Sequence, residues 1–203
     1  INEGHVKEHA DLERRTREAE SKTKMLEAEV KRLEGIGKVR DPLIEDLKKK
    51  LEEALTGAGA KEVGFTTEES REVRITDDGK ISIAGDVLFK LGKADLTDAA
   101  RSILRKLAPV LKKNIQSAYL RIEGHTDDVP IKNPETLRNY PTNWDLASGR
   151  ALEVLKELKK LGIPEEKMYA ASYGEFEPRV KNAPGKKGAK ENRRVEIAIV
   201  SSK

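Results

Sequence analysis

Gly124-His125-Thr126-Asp127-Asp128 and Asn143-Trp144-Asp145-Leu146-Ala147-Ser148-Gly149-Arg150 are the stretches whose residue types could do chemistry together. Asp127 falls where a predicted strand opens into a loop, a usual place for a ligand group. Asn143 opens a predicted helix, so unpaired backbone N–H groups lie nearby and favour an anion. Arg150 follows Asn143 by seven residues, about two turns, and so shares its helix face. It borders the apolar stripe of Ala147, Ala151 and Val154, where a guanidinium loses water and needs an anionic partner. A carboxylate and a guanidinium converging on one pocket would clamp a zwitterion, the ammonium on Asp127 and the carboxylate held bidentate by Arg150. Spacing alone equally allows Asp127 and Arg150 to pair with each other.

The elements that must position these groups follow from periodicity. Val73–Thr76 and Ile81–Ile83 alternate with period two around Asp77-Asp78-Gly79-Lys80, a hairpin pattern. Asp86-Val87-Leu88-Phe89 is a short apolar piece. Thr97 caps a helix whose stripe is Ala100, Leu104, Leu107 and Leu111. Residues 119–123 read as a strand, 124–142 as a long polar loop, and 143–161 as a helix ended by Gly162. Met168–Tyr173 and Arg194–Val200 read as strands separated by a basic Gly/Pro loop. The order β-α-β-α-β after a hairpin predicts an α/β two-layer sandwich with its helices on one sheet face.

Residues 1–56 have a different grammar. Leu12, Ala19, Leu26 and Leu33 recur every seven residues with Val30 beside them, a coiled-coil-like seam. The seam breaks at Gly35-Ile36-Gly37. A second helix is predicted from Asp41-Pro42, with Ile44, Leu47, Leu51 and Leu55 as its stripe and a stop at Thr56–Gly59. The expected organisation is a helical stalk over 1–56, a linker over 57–71 and an α/β domain over 72–203. The two helices of 1–56 either fold back on each other as a hairpin or form an interrupted stalk, which the continuing heptad phase favours and which is a candidate homodimerisation element.

In this order the motifs resemble the OmpA C-terminal-like peptidoglycan-binding family, which includes the periplasmic domain of MotB. The resemblance rests on Asp86–Phe89 with Ala94-Asp95-Leu96, on Gly124–Asp128, and on Asn143–Leu146 with Arg150-Ala151. Tyr173-Gly174-Glu175 with Pro178 and Asn192–Ile197 complete it. It implies a β-α-β-α-β domain that holds the cell wall non-covalently through the peptide stem, chiefly diaminopimelate. That ligand presents a free ammonium and carboxylate at one centre. The family's key aspartate falls on Asp127 and its helix arginine on Arg150, while Thr126, Asn143, Leu146 and Arg194 match positions that line or brace the pocket. Two residues depart from the pattern: Asp128 stands where many relatives have Asn, and Gly149 where Ser or Ala is usual. Val129-Pro130-Ile131 and Tyr140–Trp144 look most like the MotB branch, so the alternative is a MotB-like stator subunit of an ion-driven flagellar motor. MotB needs a transmembrane helix with an ion-carrying aspartate, and this sequence shows none.

Composition narrows the classes. The 203 residues are 37% charged and only 4% aromatic, which fits a modest core plus a solvated helical part. Net charge is +4. Residues 1–60 carry 13 Lys/Arg against 14 Asp/Glu, leaving 27 against 22 for the remainder, so the basic surplus belongs to the second part. Without cysteine there is no disulfide, thiolate metal site or cysteine nucleophile. No G-x-S-x-G elbow is present, and a non-enzymatic protein without a cofactor is expected. His125 with Asp127 could begin a metal site, but the other two histidines, His5 and His9, lie in the remote helix, so His125 is expected to be a packed, hydrogen-bonded loop residue. The Lys181–Lys190 loop lacks interleaved aromatics, which argues for solvated charge rather than nucleic-acid contact. Trp144 is expected to staple the helix start into the core, with a lid over the pocket as the other option. No apolar run approaches the roughly 20 residues of a membrane span, and no signal peptide is visible in a chain that starts at Ile1. Placement in the periplasm or cell envelope, tethered by an upstream segment, is the expectation.

Overall fold

The structure is a computed structural model that describes residues 57–201 except 116, 117 and 186, together with isolated helical positions at 14, 15, 22, 25, 46, 49, 52 and 53. The heptad residues of the predicted stalk, its Gly35–Gly37 break and the Asp41-Pro42 start lie outside the described residues. Within the expected linker the chain is helical twice, at α1 (Gly57–Glu62) and α2 (Glu69–Glu72), so Gly57–Gly59 are themselves helical where their composition suggested a stop.

The domain is one five-stranded sheet. β1 (Val73–Ile75) and β2 (Ile81–Ala84) form the predicted hairpin, closed by Thr76 N–H to the Lys80 carbonyl at 2.9 Å, with Gly79 at φ +76° in the turn. A single helical turn, α3 (Gly85–Leu88), replaces the short apolar piece. Helix α4 (Asp98–Asn114) starts where expected: the Thr97 hydroxyl accepts the Ala100 N–H at 3.0 Å and donates to the Val87 carbonyl. β3 (Ala118–His125), α5 (Pro134–Asn139), α6 (Asn143–Lys160), β4 (Met168–Gly174) and β5 (Arg194–Ser201) follow. Strand order is β1-β2-β5-β3-β4; the β3–β4 pair is parallel and the other pairs are antiparallel. α5 interrupts what the sequence presented as an unbroken loop.

The two long helices bury one sheet face. Leu104, Leu107 and Leu111 of α4 and Val154 and Leu158 of α6 join Ile81, Ile83, Leu120, Ile122, Val195 and Ile197 in one core. At about 1.5–3 kcal/mol per buried aliphatic side chain, this cluster is the main stabilising contribution. Arg101 and the buried Glu157 tie the helices together at 3.0 Å. Gly124 is the point of closest approach between β3 and α6, where a Cβ would collide with the Ala147 backbone. That contact sets the distance between the end of β3 and the first turns of α6.

The opposite sheet face is charged rather than merely solvated. Glu123 and Glu196 are register partners and both are buried. Lys80 Nζ lies 3.1 Å from Glu123 and 3.5 Å from Glu196; Arg121 reaches Glu123 at 2.5 Å and Arg194 reaches Glu196 at 2.6 Å. Burial alone would push the Glu123 carboxyl up, but its contacts with His125, Arg121 and Lys80 outweigh this and hold it at about 2.

Candidate functional site: an acid and a buried guanidinium at the β3–α6 junction

Asp127 lies two residues past β3. The Thr126 N–H donates to the Gly174 carbonyl at 2.8 Å, which carries the β3–β4 pairing one step further and fixes where the acid emerges. The Thr126 hydroxyl is buried and without a protein partner. Asp127 is 5% exposed. Its Oδ1 accepts the Val129 N–H at 3.4 Å, and its Oδ2 accepts a 2.6 Å charge-assisted bond from Arg193 Nη1. Gly188, at φ +73°, lies directly over the carboxylate; a Cβ there would come 2.7 Å from Asp127 Cγ. Asp128 holds that segment down by accepting the Gly188 N–H at 3.1 Å.

Arg150 projects from the second turn of α6 and is also 5% exposed. Its Nε–H donates to the Lys93 carbonyl at 3.1 Å, and the guanidinium stacks over the Phe89 ring, 5.1 Å from its centroid. It makes no ion pair with a carboxylate among the described residues. Burial, and then repulsion from Arg193, pull its pKa down to about 10; Asp127 and Tyr140 offset part of that. Asp127 and Arg150 therefore share one electrostatic neighbourhood without bonding to each other, and the direct pair that spacing allowed is not formed. Gly149 serves the same corner. A Cβ would fall 2.6 Å from Tyr140 Cε1, so the glycine admits the Tyr140 ring beside Arg150.

The start of α6 is capped by its own chain. Thr142 and Asp145 form a reciprocal capping box, the Thr142 hydroxyl accepting the Asp145 N–H at 3.3 Å and the Asp145 carboxylate accepting the Thr142 N–H at 2.9 Å. Asn143 is a brace. Its amide donates to the carbonyls of Asp127 and Val129 at 3.3 Å each and to Glu175 at 2.5 Å, joining the acid's loop to the end of β4. Leu146 is buried beneath it.

Arg194 is not brought to Asp127. It lies on the charged outer sheet face, bonded to Glu196 and to the carbonyls of Glu177 and Asn192 at 3.2 and 3.3 Å. Its neighbour Arg193 takes the place at the acid, because adjacent residues entering a strand project to opposite sides. Arg193, Gly188, Tyr140 and Glu175 are the site residues that sequence reasoning missed. For Arg193 the signal was present: two consecutive arginines at a strand start send one to each face.

Other expectations need correction. His125 ends β3 rather than lying in a loop. It is buried and stacked on Tyr173 with ring centroids 5.0 Å apart, but neither ring nitrogen has a hydrogen-bond partner. Its Nε2 lies 3.8 Å from both Glu123 and Glu196, and the group of three possible metal ligands that includes it among the described residues is Glu123, His125 and Glu196, without Asp127. Those three residues could surround a cation, but Lys80 already stands against both carboxylates. Trp144 does not enter the core; it is 48% exposed and stacks on Phe176. The basic loop keeps Lys181, Lys187 and Lys190 exposed, in line with a solvated loop, and it is also tied to the domain. The buried Asn192 exchanges bonds with Val180 N–H and C=O at 2.9 and 2.8 Å, pinning the loop over the acid.

Motility protein B of Bacillus subtilis (strain 168) is 31% identical over 135 residues, 66% of this chain and 49% of that relative; the chain thus spans about half of its length. A solved MotB-like protein from Desulfovibrio vulgaris superposes with a TM-score of 0.66 at 22% identity, over 81% of this chain and 99% of that one, which supports the fold. The solved cell wall anchor of the T6SS from Pseudomonas aeruginosa is 29% identical, with a TM-score of 0.56 over 66% of this chain and 92% of the other. The OmpA family model matches residues 88–193, from the end of α3 to Arg193, more than half the chain and the whole of the acid–guanidinium junction. The chain belongs to the OmpA family.

Proposed function

We propose that this domain binds peptidoglycan non-covalently, gripping the free amino-acid centre of a diaminopimelate-type stem peptide, and that it thereby anchors an envelope protein to the wall. The observation that carries the reading is Arg150: a buried guanidinium with no carboxylate partner among the described residues, beside an equally buried acid. A buried cation left in that condition costs free energy that an arriving carboxylate recovers. The ligand ammonium then replaces the Arg193 guanidinium on Asp127, and the ligand carboxylate takes the fork of Arg150. Arg193 keeps the acid paired until the ligand ammonium arrives. Asn143, Thr126 and Leu146 position the acid's loop and the helix start. No group in this arrangement needs to make or break a covalent bond, so the proposed role is binding rather than catalysis.

The likeness to the T6SS cell wall anchor supports a passive tether. The likeness to motility protein B favours a second reading, in which the same grip holds a motor stator subunit against torque. Both place the domain in the cell envelope. Both call for an anchor to the membrane, and no helix among the described residues is long and apolar enough to cross one. Residues 1–56, whose sequence carries the heptad seam, serve on this reading as the spacer and dimerise the chain, so that two weak grips act together.

Sedimentation with purified sacculi tests the grip. Wild type co-sediments. Asp127→Ala and Arg150→Ala stay in the supernatant with unchanged circular dichroism. Sedimentation of both variants like wild type overturns the assignment.

A further inference from the structure

Two large aromatic side chains stand in solvent next to the acid's loop. Trp144, the second residue of α6, is 48% exposed, and Phe176, two residues past β4, is 64% exposed. Their rings stack on each other, 5.4 Å between centroids and 26° between planes, so they form one ledge. The indole is seated rather than loose. Gly174, at φ +54°, lies flush beneath it, where a Cβ would come 3.3 Å from the ring, and the Ser172 hydroxyl donates to the Trp144 carbonyl at 2.9 Å. The residues just before the two aromatics, Asn143 and Glu175, are bonded to each other at 2.5 Å, and the same Asn143 amide bonds the Asp127 carbonyl. The ledge is thus continuous with the rim of the acid's site.

The geometry points to a sugar platform: the Trp144–Phe176 ledge takes a pyranose ring of the glycan strand that carries the stem peptide. This rests on the peptide-grip reading, which it extends from the amino-acid centre to the saccharide. A pyranose has an apolar C–H face that lies on an aromatic face and an edge of hydroxyl and acetamido groups that needs polar neighbours. The ledge supplies the first, and the amide and carboxylate of Asn143 and Glu175 lie along its border. A folded protein is a poorer occupant. Two half-exposed rings offer roughly 200–300 Å², well short of the ~500 Å² that each side of a stable protein interface contributes. Continuity with a site for the peptide leaves the peptide's own sugar as the occupant within reach.

Trp144 is the only tryptophan in the chain, so intrinsic fluorescence reports on the ledge alone. The test titrates the full chain with three probes: the free stem tripeptide, the same peptide on its disaccharide, and glycan strands stripped of peptide by an amidase. Wild type is expected to bind the disaccharide-peptide about tenfold more tightly than the free peptide, with a change in tryptophan emission only when sugar is present. Phe176→Ala and Trp144→Ala, the latter followed by calorimetry, should reduce the disaccharide-peptide to the affinity of the free peptide. Both should leave the free-peptide Kd within twofold. Phe176→Tyr should keep the advantage. Equal wild-type affinity for the two peptide probes overturns the platform, as does an advantage that survives both alanine variants. A change in molecular mass with Phe176→Ala, at unchanged disaccharide-peptide affinity, reassigns the ledge to self-contact and also overturns it. Failure of wild type to bind the free tripeptide overturns the peptide grip instead. In that case the platform stands only if stripped glycan binds wild type and not Phe176→Ala.

Discussion

Arg193 Nη1 lies 2.6 Å from Asp127 Oδ2, while Arg150, the cation that sequence spacing aimed at the same acid, bonds a backbone carbonyl instead. The junction thus holds one ion pair and one guanidinium with no carboxylate partner among the described residues. On the proposed grip, that guanidinium would receive an incoming carboxylate, and an incoming ammonium would have to exchange with the pair.

Arg193→Ala therefore has separable consequences. It leaves a nearly buried carboxylate without its partner and should destabilise the protein by about 2 kcal/mol, a value tempered by the partial exposure of Arg193. The stem tripeptide supplies a replacement ammonium, so it should raise the Tm of the variant by more than it raises that of wild type. Equal ligand-induced shifts in the two thermal melts would remove Arg193 from the exchange.

Arg150→Lys tests the fork. A lysine keeps the charge but cannot present two parallel N–H donors. Affinity for the stem peptide should fall at least tenfold by calorimetry, and full retention would reduce the site to simple charge attraction.

The same arginine sets an alkaline limit. Its folded pKa is pulled down to about 10, well below the ordinary arginine range, so between the folded and unfolded values the unfolded chain binds more protons at this position. The Arg150 contribution to stability consequently rises with pH through that window, while the cation needed for a carboxylate disappears. Stem-peptide affinity should be flat from pH 7 to 9 and fall above pH 10. Arg150→Lys should not reproduce that midpoint.

Acid acts on the opposite sheet face. Burial raises the carboxyl of Glu123, but its ion pairs more than compensate and hold it at about 2 against an ordinary 4.5. A depressed acid contributes stability that is complete above its unfolded pKa and is lost as pH falls through the folded one. Glu69, held at about 2 by Lys106, Thr66 and Ser102 against its own desolvation, behaves alike. Urea midpoints should drop steeply between pH 4.5 and pH 2, and Glu123→Gln, weaker at neutral pH, should converge on wild type at pH 2.

Gly124→Ala should be the most damaging single-methyl change in the domain. The new Cβ meets the Ala147 backbone, which cannot rotate away, so β3 and α6 must separate. A loss of about 3 kcal/mol or more is expected from overpacking, together with loss of stem-peptide binding as Asp127 moves off Arg150. Gly149→Ala meets only the Tyr140 ring and gains helix propensity, so it should cost less than about 1 kcal/mol.

Much of the fold was legible because local chemistry carried it. Period-two alternation marked the β1–β2 hairpin, Thr97 marked the start of α4, and the Ala147–Val154–Leu158 stripe marked the inward face of α6. Asp127 and Arg150 were identifiable because a strand-end acid and a stripe-bordering arginine are unusual places for charge. Other features were not legible from local pattern. A glycine-flanked segment at Gly57–Glu62 is helical where its composition indicated a stop. Glu123 and Glu196 look like surface acids in sequence but are buried, because β3 and β5 are register partners and Lys80, Arg121 and Arg194 converge on them.

The amino-acid order thus settled the five strands and the two long helices of the α/β domain, and which two charged groups have unusual surroundings, since backbone preference and side-chain burial act over a few neighbouring residues. It left open which arginine faces the acid, that Gly188 covers the carboxylate, and that Trp144 stands in solvent against Phe176. Those outcomes depend on contacts between residues 32 to 66 positions apart, and only the packing of α6 and the 175–193 loop against the end of β3 brings such groups within bonding distance.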